Sequence, residues 1–156
     1  MREQRRQAVA FFWMETELKR VYFFLLIPAL LGLLAAYLAR SYLEIEAWAL
    51  TSTRPVAVLL FVLAFAFGVA LPILFRTLFV HRKRREKQIT RSDLLKFERG
   101  TLYIALVAPY ITLMAYFIGI PRFHFTGTVL ACFYAIYYFY PSKKRIQYEK
   151  RVFRVR

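Results

Sequence analysis

The sequence predicts an all-α membrane protein, a four-span transmembrane helix bundle built from two antiparallel hairpins. Four apolar runs, residues 21–39, 55–75, 101–120 and 125–140, contain no Asp, Glu, Lys, Arg or His. Hydrophobic residues make up 60% of the 156 residues, whereas the net charge is +15. A soluble helical fold would need helices with one polar face, and these runs are apolar all round. Apolar and charged residues therefore occupy separate parts of the chain, as in a protein embedded in lipid.

The first two runs are long enough to cross a bilayer. Residues 21–39 and 55–75 could each form an α-helix about 30 Å long at about 1.5 Å per residue, which matches the thickness of a hydrocarbon core. Pro28 lacks the N–H that a helix interior requires, so a kink is expected there. The second helix ends either at Phe75 or, beyond Arg76, at Val80.

The last two runs predict the second hairpin. Residues 101–120 can span, whereas residues 125–140 are only 16 residues long and are marginal for crossing a bilayer. Only four residues separate the two runs, so a tight antiparallel turn is expected. Before them, Thr90 is expected to begin a short capped helix and Gly100 to end it.

Small residues recur four positions apart in the apolar runs. This spacing lets helix backbones approach closely in lipid, where small side chains rather than hydrophobicity favour helix association. The pairs include Gly32 with Ala36, Ala64 with Gly68, Ala115 with Gly119, and Gly127 with Ala131. Each pair is either a helix contact or an accident of an alanine-rich sequence.

The basic residues predict the orientation. Residues 1–20, 81–100 and 141–156 hold 20 of the 24 lysines and arginines. Lys and Arg next to a span are retained in the cytoplasm during insertion. We therefore expect an even number of spans, both termini in the cytoplasm, and a multi-pass location in a plasma (inner) membrane. The whole chain, residues 1–156, then forms a single integral membrane domain.

Candidate binding residues lie at the ends of the spans. Arg76 either snorkels to the headgroups or faces the bundle interior and binds an anionic group. Arg122 and His124 are candidate polar contacts on the outer side. Nucleic acid is not expected as a partner, because a basic run beside a span is typical of membrane retention and lipid contact. The candidate contacts for anionic lipid headgroups are Arg76, Arg82, Lys83, Arg84, Arg85, Lys87, Lys143, Lys144 and Arg145.

The sequence predicts no catalytic residue, metal site or cofactor. No run carries the ionisable residue that ion-coupled transport usually needs. His81 and His124 lie at opposite ends of the predicted bundle, so they cannot form a metal or haem pair within one chain. Cys132 is the only cysteine. The remaining catalytic alternative is an enzyme acting on a lipidic substrate, with Arg76, Tyr110 or His124 at a subunit boundary.

The function expected first is that of a structural or accessory subunit. Such a subunit packs against anionic lipid and against the helices of a partner membrane protein or of further copies of this chain. The main alternative is a small oligomeric channel or carrier for an anionic or small solute. Its pore would be lined by Thr112, Thr126, Thr128 and tyrosines, with Arg76 or Arg122 selecting anions.

Overall fold

The described part of the chain consists of helices joined by short turns and contains no strand. The computed structural model describes residues 2–42, 54–83 and 90–152. A π-helical turn, Ala66–Ala70, joins the second and third α-helices. The α-helices of this part are α1 (Arg2–Tyr42), α2 (Arg54–Phe65), α3 (Leu71–Lys83), α4 (Arg91–Ala105), α5 (Val107–Ile118), α6 (Arg122–Tyr138) and α7 (Lys143–Val152). The predicted all-α class is confirmed.

Three stretches are long and apolar enough to cross a membrane. They are Trp13–Tyr42, Arg54–Arg82 and Ser92–Ile118, with 30, 29 and 27 residues. Each is longer than the apolar run that predicted it, because the helix continues into the flanking charged residues. The fourth predicted span corresponds to α6, which has 17 residues.

The helix of the first run begins far upstream of that run. α1 starts at Arg2, so the described part of the basic segment 1–20 belongs to the same helix. No proline or glycine interrupts α1 before Pro28, and its Ala, Glu, Lys and Arg residues favour helix. The Tyr110 hydroxyl of α5 donates to the Leu25 carbonyl oxygen at 2.7 Å. This bond supplies a donor to α1 near the point where Pro28 lacks one.

The second run contains a π-turn immediately before Pro72. Proline in a helix has no N–H, and its ring collides with the carbonyl four residues earlier, here that of Gly68. The Leu71 N–H instead donates to the Ala66 carbonyl five residues earlier, which widens the turn. The helix then continues as α3 to Lys83, so it passes both of the predicted ends, Phe75 and Val80.

The prediction that Gly100 ends a helix is wrong. α4 begins after Thr90 as predicted, but it runs through Gly100 to Ala105. A β-carbon at Gly100 would meet the Phe75 ring of α3 at 3.2 Å. Glycine is therefore needed here for the close approach of α3, and it does not stop the helix.

The helix is interrupted instead at Leu106. This residue forms a turn between α4 and α5, three positions before Pro109. The Pro109 ring would collide with the Ala105 carbonyl of a continuous helix, so α4 ends at Ala105. The backbone bends at Leu106 and resumes as α5.

The α5 and α6 helices form a packed antiparallel pair, as the second predicted hairpin implies. Gly119 ends α5 with a φ of 71°, a left-handed conformation that glycine adopts without strain. By contrast, α1 packs along α4 and α5 rather than along α2. Among the described residues, the first predicted hairpin is thus not a closely packed pair, because α4 and α5 provide the partner face of α1.

The helix ends form two distinct groups. At the end that we call the aromatic end, the Arg40 guanidinium lies 5.3 Å from the centre of the Tyr116 ring. The rings of Phe61 and His124 also meet there, edge to face. At the opposite end, ion pairs join α1, α3, α4 and α7. We call this the charged end, and its paired residues are Glu17, Arg76, Glu98, Arg99, Arg145 and Glu149.

Candidate functional site

The candidate site is the charged end, where α7 folds back onto the bundle. Pro141 and Ser142 immediately precede α7 in the short connection from α6. The Ser142 hydroxyl accepts a hydrogen bond from the Arg145 N–H at 3.2 Å. This bond caps the first turn of α7. Ile146 is almost completely buried against the core, and Glu149, three residues later, lies on the same face of the helix.

Two ion pairs attach α7 to the bundle; α7 supplies the carboxylate of one pair and the cation of the other. Arg76 of α3 holds Glu149 at 3.1 Å, and Arg145 of α7 holds Glu98 of α4 at 3.1 Å. The two carboxylate side chains are only 3% and 5% exposed. An unpaired carboxylate at such depth would be strongly destabilising. The pairs therefore allow one position of α7 on the bundle, since sliding the helix would separate both.

Donors from two other helices reach the C-terminus of α6. The Tyr22 hydroxyl of α1 donates to the Ile136 carbonyl at 2.9 Å, and Arg145 donates to the Tyr138 carbonyl at 3.1 Å. The last carbonyls of a helix have no partner within it, and a cation near them is favourable. Arg145 also lies over the Phe139 ring, 5.2 Å from its centre. Arg145 thus links α4, α6 and α7.

The other two ion pairs described near the charged end involve residues of α1. Arg99 and Glu17 meet at 3.1 Å, and both side chains are partly open to solvent, so their attraction is weak. Lys19 and Glu15 meet at 2.7 Å within α1. One oxygen each of Glu15 and Glu98 is buried without a hydrogen-bond partner in the described structure. The buried polar network is therefore not fully satisfied by the residues that the structure describes.

Arg76 lies between a cleft and a groove. The cleft lies between α3, α4, α7 and the C-terminal end of α6 and has a volume of about 20 Å³, room for one water molecule. Its lining includes Pro72, Arg76, Thr101, Tyr138 and Glu149. The groove is open, runs along α3 on the outside and is lined by Arg76, Thr77, Val80 and His81. We call it the α3 groove.

The predicted headgroup contacts divide into two sets. Arg76 and Arg145 are turned into the charged end and paired with carboxylates. Arg82, Lys143 and Lys144 are exposed at the same end. The side chain of Lys83 and the residues Arg84, Arg85 and Lys87 lie outside the described part.

The two predicted outer contacts lie at the aromatic end. Arg122 is exposed at the first residue of α6. His124 is half-buried, with its ring against the edges of Phe61 and Phe123. Its Nδ1 atom has no hydrogen-bond partner in the described structure.

The residues expected to line a pore are packed inside the chain or lie outside the bundle. Thr112 and Thr128 are 2% and 0% exposed. The Thr112 hydroxyl lies 3.2 Å from the Thr128 carbonyl oxygen, a contact between α5 and α6. Thr126 is exposed and donates to the Arg122 carbonyl. These threonines therefore stabilise helices and do not line a common surface within one chain.

The residues expected for lipid enzymology do not converge in one chain. Arg76 lies at the charged end, His124 at the aromatic end, and the Tyr110 hydroxyl is bonded to α1. No group of three His, Cys, Asp or Glu residues in the described ranges could hold a metal ion. No protein-family model matches the chain, and no curated protein or solved structure matches it.

The buried carboxylates Glu98 and Glu149 were not among the predicted site residues. A signal was present for each. Glu98 follows Leu94 by four positions and therefore lies on the apolar face of α4. Glu149 follows Arg145 by four positions and Ile146 by three, so the three residues share one face of α7.

Proposed function

We propose that this chain is a multi-pass protein of the plasma membrane and a structural or accessory subunit that packs against partner helices and anionic lipid. The observation that carries this proposal is the contrast between a closed interior and an apolar exterior. Thr112 and Thr128 are sealed between α5 and α6, whereas Leu130, Phe133 and Tyr137 of α6 point outward. A closed bundle of this kind acts through its outer faces, where small and aromatic residues meet other helices.

Four crossings with both termini in the cytoplasm are part of this proposal. α6 is about 25 Å long, slightly shorter than the thickness of a hydrocarbon core. Its antiparallel packing on α5 supports a fourth crossing. Glu17 of α1 and Arg145 of α7 pair with adjacent residues of α4, so the parts of the chain before the first span and after the last one meet at the same end of the bundle. This arrangement supports an even number of crossings. The exposed Lys143 and Lys144 at that end support a cytoplasmic location and contact with anionic headgroups.

Site-specific photocrosslinking in native membranes tests the accessory role. A benzophenone side chain replaces Phe133, which is 63% exposed, or Phe139, which is 3% exposed and serves as the matched control. We expect the Phe133 position to yield an adduct with a different membrane protein, identified by mass spectrometry, and the Phe139 position to yield none. Adducts with copies of this chain alone, or no protein adduct at all, would contradict the accessory role.

An anion-flux assay tests the main alternative. The purified chain in liposomes is expected to give no anion flux above that of empty liposomes, because Thr112 and Thr128 are packed between α5 and α6. A flux through the wild-type protein that disappears in Arg76→Ala would replace the accessory role with a channel or carrier.

A further inference from the structure

Among the described residues, Arg76 has one carboxylate partner, Glu149, and it also borders an open groove. Its guanidinium holds the buried Glu149 at 3.1 Å, yet the Arg76 side chain is 36% exposed. The exposed part faces the α3 groove, which Thr77, Val80 and His81 complete. The same cation can therefore reach an anion in the groove or the carboxylate of α7.

We propose that the α3 groove binds the phosphate group of an anionic lipid, which takes Arg76 from Glu149 and releases α7 from the charged end. This inference rests on the membrane placement proposed above and adds a ligand, a site and a consequence to it.

The chemistry and depth of the groove fit a lipid phosphate. Arginine offers a planar set of N–H donors that matches phosphate oxygens, and His81 adds a ring N–H donor to the lining of the groove. The groove lies near the end of the apolar stretch Arg54–Arg82, where headgroups are expected. Ile73 and Leu74 are exposed on the same helix, nearer the centre of the apolar stretch than Arg76, and can contact acyl chains. Thr77 is tied to the Ile73 carbonyl at 3.0 Å and gives the groove a fixed wall.

Loss of Arg76 to a phosphate would weaken the docking of α7. Glu149 is almost completely buried, and a buried carboxylate without its cation is much more favourable in water. α7 has only ten residues, too few for a stable isolated helix. The Arg145 and Glu98 pair, close to Ser142, remains as the attachment, so the end of α7 that carries Glu149 is released first.

The test titrates the full chain, in nanodiscs of phosphatidylcholine, with phosphatidic acid, and it measures both the bound phosphatidic acid, by native mass spectrometry, and the hydrogen exchange of the α7 amides. We expect exchange in wild-type α7 to become about tenfold faster at saturation. Arg76→Gln should raise the half-saturating lipid content about tenfold, because a charge-assisted bond to phosphate is lost. Glu149→Gln should lower the half-saturating lipid content for binding about tenfold, because the competing carboxylate is gone, and should make α7 exchange independent of the lipid. The matched control is Arg82→Gln, an exposed arginine on the same helix, which should change the half-saturating lipid content less than about threefold.

The opposite signs of the two changes are decisive. A structural role of the ion pair alone would weaken lipid binding in both variants or leave it unchanged in Glu149→Gln, and either result overturns the inference. If Arg76→Gln does not fold, the comparison of Glu149→Gln with wild type decides by itself. Equal losses of lipid affinity in Arg76→Gln and Arg82→Gln would show that the lipid binds to a diffuse basic surface, and this result would also overturn the inference.

Two further arms identify the source of the phosphate. Inorganic phosphate at matched concentration, and added phosphatidylcholine, should leave α7 exchange unchanged. An equal effect of inorganic phosphate would assign the groove to a free anion and overturn the lipid assignment. Failure of the chain to enter nanodiscs would refute the proposed membrane role itself, whereas insertion without lipid-dependent exchange would refute only this inference.

Discussion

Gly68 shows how a single missing side chain determines the packing of three segments. It lies in the π-turn, and a β-carbon there would meet the Ala131 carbonyl oxygen at 3.1 Å and the Ala108 β-carbon at 3.3 Å. The Ala131 oxygen is part of the α6 backbone, and the Ala108 β-carbon is bonded directly to the α5 backbone. Neither atom can move without shifting a whole helix. The predicted pairing of small residues in this run therefore corresponds to a real close approach.

Gly68→Ala is expected to lower the free energy of unfolding by about 1–2 kcal/mol, because the added methyl group overpacks this contact. Thermal unfolding in detergent, followed by circular dichroism, measures it. Gly32→Ala is the matched control, since its β-carbon would meet only a Leu113 methyl group, at 2.8 Å, which can rotate away. Alanine also favours helix over glycine by about 1 kcal/mol, so Gly32→Ala should be neutral or stabilising. Equal destabilisation by both changes would refute this account.

At the scale of the element, three prolines with the same chemistry have three different outcomes. Each lacks an N–H and collides with the carbonyl four residues earlier. α1 continues through Pro28 with a bond from Tyr110, a π-turn precedes Pro72, and Pro109 follows a break at Leu106. The sequence locates these disturbances. Their form depends on the neighbouring helices that supply or exclude a hydrogen-bond partner.

α7 is held in place by tertiary contacts rather than by its own helix propensity. Its residues are mainly polar, and Ile146 is its buried apolar anchor among the described side chains. A short helix of this kind is stable only while docked.

Ile146→Ala should therefore undock α7. Truncation of a buried isoleucine removes about 2–5 kcal/mol of packing. Trypsin should then cut after the exposed Lys143 and Lys144 at least about tenfold faster than in wild type. Gln147→Ala alters an exposed neighbour and should leave the cleavage rate unchanged. An unchanged rate in Ile146→Ala would mean that the ion pairs alone hold α7.

For the whole molecule, orientation in the membrane is the main prediction. Single cysteines replace Tyr42, exposed at the aromatic end of α1, and Lys143, exposed at the charged end, in a Cys132→Ala background. In intact cells an impermeant thiol reagent should label the Tyr42 position and not the Lys143 position. Both should react once the cells are opened, which controls for accessibility. The reverse pattern would invert the orientation, and labelling of both in intact cells would require an odd number of crossings.

The candidate site was only partly predictable. Arg76 and Arg145 were recognised as cations at the end of a span, and facing the bundle interior was one of two placements considered for Arg76. Their partners were not recognised, because Glu149 lies 73 positions beyond Arg76 in the chain and Glu98 lies 47 before Arg145. No local pattern reports a contact over such separations. The apolar neighbours Leu94 and Ile146 indicated only that these carboxylates share a buried face.

The sequence by itself determined the helical class, the position of the apolar stretches and the segregation of charge. These follow from hydropathy and backbone chemistry, which act over a few neighbouring residues. Only the tertiary structure decided that α1 packs on α4 and α5, that Gly100 admits Phe75 instead of ending a helix, and that α7 closes the charged end. Those outcomes depend on which distant surfaces fit together, because close packing and the pairing of buried charges are properties of two helices at once.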